Sequence, residues 1–204
     1  MGKYEVETAP SPRSFPSMER RTRSRRAVFL DRDGVLNRPI VRNGLPHPPF
    51  RVEEFELYED VAAGCARLKA ADFVLVVITN QPDVGRGQQT RQAVEAMHLK
   101  MQSTLPGLDR IEVCYHAGAR YGEPCDCRKP RPGMILRAAV ELKIDLGASY
   151  VIGDRWRDID CAHAAGCRAI FIQRGYQESL RQLPDFTVLN FTDAVNALLR
   201  TADI

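Results

Sequence analysis

Two carboxylates spaced two residues apart, Asp31 and Asp33, stand in the segment "FLDRDGVLN" directly after a short apolar run. An isolated D-x-D-G is as readily a strand-ending turn, because Asp and Gly both favour turns. Three other segments change that reading. "VVITN" contributes a hydroxyl, Thr79; "CRKP" contributes a cation, Lys129; and "VIGDRWRD" contributes two more carboxylates, Asp154 and Asp158. A nucleophilic carboxylate, a second carboxylate beside it, a hydroxyl, a lysine and a metal-binding acidic pair are what stepwise phosphoryl transfer requires. In that chemistry positioning and charge neutralisation supply most of the catalysis. Hard carboxylate oxygens are also the ligands that Mg²⁺ prefers.

A second constellation uses softer atoms. "CYHAGARYGEPCDC" holds Cys114, His116, Cys125 and Cys127, two tight pairs at either end of one loop. A Cys₃His set suits tetrahedral Zn²⁺, and four protein donors leave no open position, so the expected ion is structural. The loop runs straight into Arg128 and Lys129, so a zinc clip would present two cations rigidly to an anion. Cys65, Cys161 and Cys167 sit singly within apolar or helical patterns. That distribution fits a reducing compartment and a metal site better than disulfides.

These groups need elements to hold them. The segments 26–31, 72–80, 110–116, 149–154 and 167–173 read as short, largely apolar strands that end in polar residues. Helical patterns follow the first four, over 60–71, 90–105, 133–143 and 157–166, with Thr90 as an N-cap. Strands that alternate with helices and are apolar throughout predict a parallel sheet covered on both faces, a three-layer α/β fold. Ligands in such folds bind beyond the carboxyl ends of the strands. Asp31 and Asp33, Thr79 and Asn80, His116, and Asp154 all fall at those ends, so four strands point chemistry at one crevice.

At 204 residues the chain suffices for one sizeable domain. Its net charge of +3 conceals an asymmetry. Residues 1–26 carry seven Lys or Arg against three Glu, which leaves the remainder close to neutral. This Pro-, Ser- and Arg-rich segment lacks apolar periodicity, so a disordered basic leader over 1–26 is expected ahead of a domain over 27–204. The apolar run "AVFL" is too short for a signal-peptide core or a membrane span, and a cytoplasmic location with no membrane contact is expected. A non-catalytic nucleic-acid-binding zinc protein is a rival reading. Aromatic residues do not interleave with the leader's arginines, however, and a binding module has no use for Asp31 and Asp33 beside a lysine.

Taken in order, the four catalytic segments resemble the motifs of the haloacid dehalogenase (HAD) superfamily of phosphohydrolases, over a match running from about Ala27 to the end of the chain. The resemblance implies a Rossmann-like HAD fold with a mainly parallel sheet. It implies Asp31 as nucleophile through an aspartyl phosphate, Asp33 as general acid and base, and Thr79 and Lys129 on the phosphoryl oxygens. Mg²⁺ would sit on Asp31, the Asp33 main-chain carbonyl and Asp154, with Asp158 in support. The zinc loop ahead of "CRKP" is similar to two branches with little or no cap domain, the D-glycero-D-manno-heptose-1,7-bisphosphate 7-phosphatases and the histidinol-phosphate phosphatases. "CRKPRPGM", the Arg-Gly ending of "TNQPDVGRG", and "NGLPHPPFRVEEFEL" favour the first branch. That branch implies a sugar bisphosphate substrate, a place in making heptose precursors of lipopolysaccharide, and Asn80, Gln81, Arg128 and Arg155 as substrate contacts. A monomer is expected.

The chain departs from the heptose pattern at Pro82 and Asp83, which replace small residues, and at Arg155, which stands where Lys is usual. A planar, forked guanidinium does not reproduce an ammonium's point geometry. The segment "RPIVRNGLPH" is also a few residues longer than the usual loop. His98 and His163 fall in helical patterns and are expected as surface or packing residues. His47 is expected to border the substrate. Met97 and Met101, one helical turn apart, are expected in the core, and Trp156 is expected either to pack or to line the mouth of the site.

Overall fold

The computed structural model describes residues 24–118 and 120–202. Six strands form one parallel sheet: β1 (Ala27–Leu30), β4 (Val74–Asn80), β5 (Arg110–Cys114), β6 (Tyr150–Gly153), β7 (Arg168–Ile172) and β8 (Phe186–Val188), in the order β5-β4-β1-β6-β7-β8. Helices α1 (Val61–Ala70), α2 (Pro82–Gly85), α3 (Arg91–Thr104), α4 (Gly133–Leu142), α5 (Trp156–Ala165) and α6 (Phe191–Ala202) lie between and after them. The expected α/β class and the five expected strands are present. Thr90 caps α3, its hydroxyl accepting from the Ala93 amide at 3.1 Å.

The alternation of side chains along each strand divides the interior in two. Val28 and Leu30 of β1, with Leu75 and Val77 of β4, pack against Cys65 and Leu68 of α1, Val94, Met97 and Met101 of α3, and Val195 and Leu198 of α6. Ala27 and Phe29, with Val74, Val76 and Ile78, face the other way, onto Met134 and Ile135 of α4 and Ile159 and Ala162 of α5. All four residues of β1 are fully buried, which is why an unbroken apolar run, and not an alternating one, marks this strand in the sequence.

Chain order reverses across β1: the strands on one side, β4 and β5, come earlier than β6, β7 and β8 on the other. Loops leaving the ends of β4, β1 and β6 therefore diverge, and the crevice they leave is the site where such sheets bind ligands. Between β1 and α1 the chain inserts a hairpin of β2 (Ile40–Arg42) and β3 (Leu45–His47). Its turn, Asn43-Gly44, has both residues at positive φ, 51° and 70°, the conformation that matches the strands' twist. The Gly44 carbonyl accepts from the Gln177 amide at 3.0 Å, which props the hairpin on the loop after β7. No separate cap domain occurs among the described residues. No helix among them is long and apolar enough to cross a membrane.

The expected leader extends too far at its carboxyl end. Residues 1–23 lie outside the described residues, but Arg25 and Arg26 belong to the folded domain. The Arg25 amide donates to Lys143 at 3.1 Å, and its carbonyl accepts from Asp145 at 2.9 Å. Arg26 lies over the Phe73 ring at 4.5 Å and donates to the carbonyls of Ala71 at 3.3 Å and Ala202 at 3.1 Å. Ala71 caps the C-terminus of α1 and Ala202 ends α6. Unpaired carbonyls at helix C-termini carry partial negative charge, so a guanidinium placed between two of them is a structural cation. Charge counting alone could not separate it from the arginines before it. Arg26→Ala is expected to lower stability by about 1–3 kcal/mol in urea unfolding; no change would show that the boundary lies after Arg26.

Candidate active site

Asp31 is the first residue beyond β1, with its amide held by Ile152 of β6 at 3.0 Å. Its Oδ1 accepts from the Arg32 amide at 2.7 Å and lies 2.7 Å from the Lys129 ammonium. Lys129 also lies 2.7 Å from Asp158 Oδ1 and donates to the Ile78 carbonyl at 2.9 Å. The lysine is thus surrounded on three sides and, at 3% exposure, almost closed off from water. Burial works against its charge, but Asp158 and Asp31 more than offset this and hold the ammonium above its ordinary range. Asp158, placed by α5, is pinned at its other oxygen by the Arg155 amide at 3.1 Å. Gly153 allows the approach: a Cβ there would stand 2.1 Å from that of Asp158.

Asp154, at the end of β6, completes a cluster with Asp31 and Asp158 in which one oxygen of each lies within 4.8 Å of the others. Both Asp154 oxygens are buried without a hydrogen-bond partner. Burial, then the charges of Asp31 and Asp158, push its carboxyl well above the usual range. Burial, with Asp158 adding and Lys129 opposing, pushes Asp31 up to about 6. Three buried carboxylates against one ammonium leave negative charge unmet, and the unpartnered Asp154 oxygens are hard donors, so the cluster fits a small divalent cation such as Mg²⁺. Gly34 makes room for it: a Cβ there would lie 1.7 Å from Asp154 Oδ2, and φ is +96°.

Asp33 meets the same recess but is compensated differently. Arg32, fully buried, grips both its oxygens with Nε and Nη2 at 2.9–3.2 Å. Asn37 donates to Oδ1 at 3.1 Å and Gln81 to Oδ2 at 2.8 Å. The same Gln81 amide reaches the Thr79 hydroxyl at 2.8 Å. Gln81 was expected as a substrate contact. It is fully buried instead, because its side chain turns inward to bridge Asp33 and Thr79. His98, expected as a surface or packing residue, is also buried, with Nε2 3.2 Å from Arg32 Nη1.

A recess of about 60 Å³ opens over these groups, lined by Asp31, Asp33, Thr79, Asn80 and Lys129, by His47 and its flanking prolines from the hairpin, and by Arg155 and Arg157. Asn80 lines it while its amide group exchanges hydrogen bonds with the Lys129 backbone at 3.1 and 3.2 Å. Arg155 is forked onto Glu178, with Nε at 2.6 Å. Arg157, which sequence reasoning did not single out, reaches the same recess with its buried Nε unpartnered and Glu178 3.5 Å from Nη2. Its signal was the repeated arginine in "DRWRD". Arg128 is not part of this recess. It lines a neighbouring hollow with Gly118, Pro124 and Cys125, and Nη1 faces the His116 carbonyl at 3.5 Å.

Cys114, His116, Cys125 and Cys127 come together as a group, each with a ligand atom within 4.8 Å of the others. Cys114 Sγ lies 3.7 Å from Cys125 Sγ and 3.6 Å from His116 Nδ1, which in turn lies 3.2 Å from Cys127 Sγ. A tetrahedral ion bonded to sulfur at about 2.3 Å separates two thiolates by about 3.8 Å, so the donor set and its spacing fit Zn²⁺. Cys65, Cys161 and Cys167 are free, buried thiols placed elsewhere, each pushed up to about 12 with burial the leading cause.

The chain is similar to known proteins. A family model described as "HAD-hyrolase-like" matches residues 126–194. The chain is 39% identical over 152 residues to the D-glycero-beta-D-manno-heptose-1,7-bisphosphate 7-phosphatase of Yersinia pestis, covering 71% of this chain and 78% of that protein. It is 39% identical over 147 residues to the enzyme of the same name from Escherichia coli (strain K12), covering 68% and 74%. Among solved structures, the D,D-heptose 1,7-bisphosphate phosphatase from B. bronchiseptica, complexed with magnesium and phosphate, superposes with a TM-score of 0.74 at 29% identity, covering 87% of this chain and 99% of that one.

The buried His98 makes a prediction of its own. Burial, and then the charge of Arg32, lower its pKa to about 4. An unfolded chain would take up that proton near pH 6.5, so acid favours unfolding, and stability is lost as pH falls through the interval from 6.5 to 4. The loss attributable to this residue is about 3 kcal/mol across the interval. His98→Gln removes the titration, so in urea unfolding the difference between wild type and variant is expected to shrink or reverse from pH 7 to pH 4.5. A constant difference would contradict the assignment.

Proposed function

The chain belongs to the HAD-like family of D-glycero-β-D-manno-heptose-1,7-bisphosphate 7-phosphatases, and from that premise we propose that it hydrolyses the 7-phosphate of the heptose 1,7-bisphosphate by way of an aspartyl phosphate on Asp31. The observation that carries the reading is the shared lysine: one buried ammonium 2.7 Å from both Asp31 and Asp158, beside the unpartnered oxygens of Asp154. A phosphate dianion brought among these carboxylates requires added positive charge. Mg²⁺ held by Asp31, the Asp33 carbonyl and Asp154, with Asp158 supporting through Lys129, would supply that charge and polarise the phosphoryl oxygens.

The protein's own groups carry the rest. A carboxylate oxygen of Asp31 attacks phosphorus while the bond from phosphorus to the sugar oxygen breaks, and Asp33, which enters this step protonated, gives that oxygen its proton. Asp33, now ionised, takes a proton from water as it attacks the aspartyl phosphate, which restores Asp31 and releases phosphate. Thr79 and Lys129 hold the phosphoryl oxygens, and Gln81 keeps the Thr79 hydroxyl and Asp33 at a fixed separation. Asn80 steadies Lys129. Arg155 and Arg157, across the recess beside His47, suit the distal anionic end of a bisphosphate. Arg128 flanks the entrance from the neighbouring hollow. Cys114, His116, Cys125 and Cys127 would hold a structural Zn²⁺, and with it bound the backbone that delivers Arg128 and Lys129 would be fixed.

With Mg²⁺ present, kcat/KM for the heptose 1,7-bisphosphate is expected to exceed that for histidinol phosphate at least tenfold. Asp31→Asn is expected to lower phosphate release on the order of 10³-fold or more while the circular dichroism spectrum is kept. Equal use of the two substrates would remove the heptose assignment, and near-normal turnover by the variant would remove the nucleophile. For the second metal, Cys127→Ser is expected to copurify with much less zinc by elemental analysis and to lose several kcal/mol of stability. Zinc content unchanged from wild type would exclude the site.

A further inference from the structure

We propose that His98 is a positioning residue for the acid–base carboxylate of Asp33, acting through the buried guanidinium of Arg32. The proposal rests on the proton-transfer role given to Asp33 above. Arg32 is fully buried between the two aspartates of the site. A guanidinium so placed loses its hydration and is tolerated only when its donors are met. It has five N–H donors and no acceptor. Nε and Nη2 form the fork on Asp33, and Nη1 points away from it, 3.2 Å from His98 Nε2.

The tautomer follows from that contact. A guanidinium can only donate, so Nε2 must accept, and the imidazole is neutral with its proton on Nδ1. Nδ1 faces Glu95 Oε2 at 3.4 Å, an acceptor for that proton. The other Glu95 oxygen accepts from the Tyr115 hydroxyl at 2.6 Å. An arm therefore runs from Tyr115, just past β5, through Glu95 and His98 on α3, to Arg32 and the carboxylate at the end of β1. The low pKa of His98, about 4, keeps its accepting lone pair free at neutral pH.

The arm matters because of how a guanidinium meets a carboxylate. It can present either of two edges, Nε with Nη2 or Nη1 with Nη2, and the two place the carboxylate in different positions. With Nη1 engaged by His98, the edge carrying Nε is the one left for Asp33. Gln81 and Asn37 each hold a single oxygen, whereas Nε and Nη2 are each shared between both and so fix the position of the group as a whole. Proton transfer to the leaving oxygen is sensitive to that position, and a well-placed general acid contributes roughly 10²–10⁴-fold.

The test separates positioning from structural support by leaving group. A sugar alkoxide cannot depart without a proton, but p-nitrophenolate can. kcat/KM for both reports the step in which Asp31 displaces the leaving group. His98→Asn is too short to reach Arg32 and is expected to lower kcat/KM for the heptose 1,7-bisphosphate, or for histidinol phosphate if that is preferred, by about 10- to 100-fold. For p-nitrophenyl phosphate the change is expected to stay within about twofold. His98→Gln, whose carbonyl oxygen can stand in for Nε2, is expected to recover most of the loss. Equal losses on both substrates, no loss on either, or no recovery with Gln would overturn the proposal. Should His98→Asn fail to fold by circular dichroism, Tyr115→Phe takes its place, with a selective loss of about threefold expected and an unselective or absent one counting against it. Asp33→Asn is the control: if it fails to discriminate between leaving groups, the acid–base reading itself falls, and the proposal with it. If it discriminates and the His98 variants do not, the positioning role alone is lost.

Discussion

Three carboxylates and one ammonium, all removed from water, face one another where β1, β4 and β6 end. Lys129 cannot neutralise more than one of its neighbours, yet it touches two, and Asp154 has no cation paired with it among the described residues. Left alone, such a cluster relieves itself by holding protons, which is the direction in which Asp31 and Asp154 are both shifted. A divalent cation relieves it differently, by leaving the carboxylates ionised and one of them ready to attack. The imbalance is thus the source of both metal affinity and nucleophilicity, and the fold must hold it in place against its own electrostatic cost.

It does so by confining each charged group from a different direction. The parallel sheet fixes Asp31 and Asp154 on adjacent strands, where β1 and β6 are in register through Leu30 and Ile152. Helix α5 begins just beyond, and its first turn turns Asp158 back toward Lys129. Lys129 arrives on the loop after the cysteine cluster, tied to β4 through Asn80 and the Ile78 carbonyl. The rigidity of that loop is therefore an electrostatic requirement as well as a structural one. If Lys129 retreated, Asp31 and Asp158 would lose the one internal cation that keeps their repulsion tolerable.

Much of this was legible because buried parallel strands read as unbroken apolar runs and their polar termini stand out. Asp31, Thr79 and Asp154 stand out for that reason, Lys129 for its place in "CRKP" directly after the paired cysteines, and the four zinc-suited ligands for their spacing. The β2–β3 hairpin was not seen. Its strands are three residues each and largely exposed, and Pro46 interrupts one, so no periodicity announces them, although Asn43-Gly44 is a strong turn pair. The short β8 was missed for the same reason. Helix α6 has a helical spacing of Phe191, Ala194, Val195 and Leu198, but it carries no chemistry-bearing motif to mark it. The inward turn of Gln81 and Arg26 is hidden for a deeper reason: a polar side chain at a strand end, or an arginine in a basic stretch, turns inward only when particular partners await it, and partners such as Asp33 for Gln81 and Ala202 for Arg26 lie far away in sequence.

Arg32 is the clearest case of that limit. A charged residue between two aspartates at a strand end looks like a solvated one, yet it is among the most buried side chains in the molecule. Its burial makes sense once the two acids beside it are contrasted. Asp31 must be left short of positive charge so that a cation and a phosphoryl group are drawn in, while Asp33 must be steady enough to pass a proton back and forth without joining that cluster. Giving Asp33 an internal cation of its own, while Asp31 must share Lys129 with Asp158, divides their duties. The chain achieves this with adjacent residues, because alternation at the end of β1 sends Asp31 toward Lys129 and Arg32 toward α3, where His98 waits.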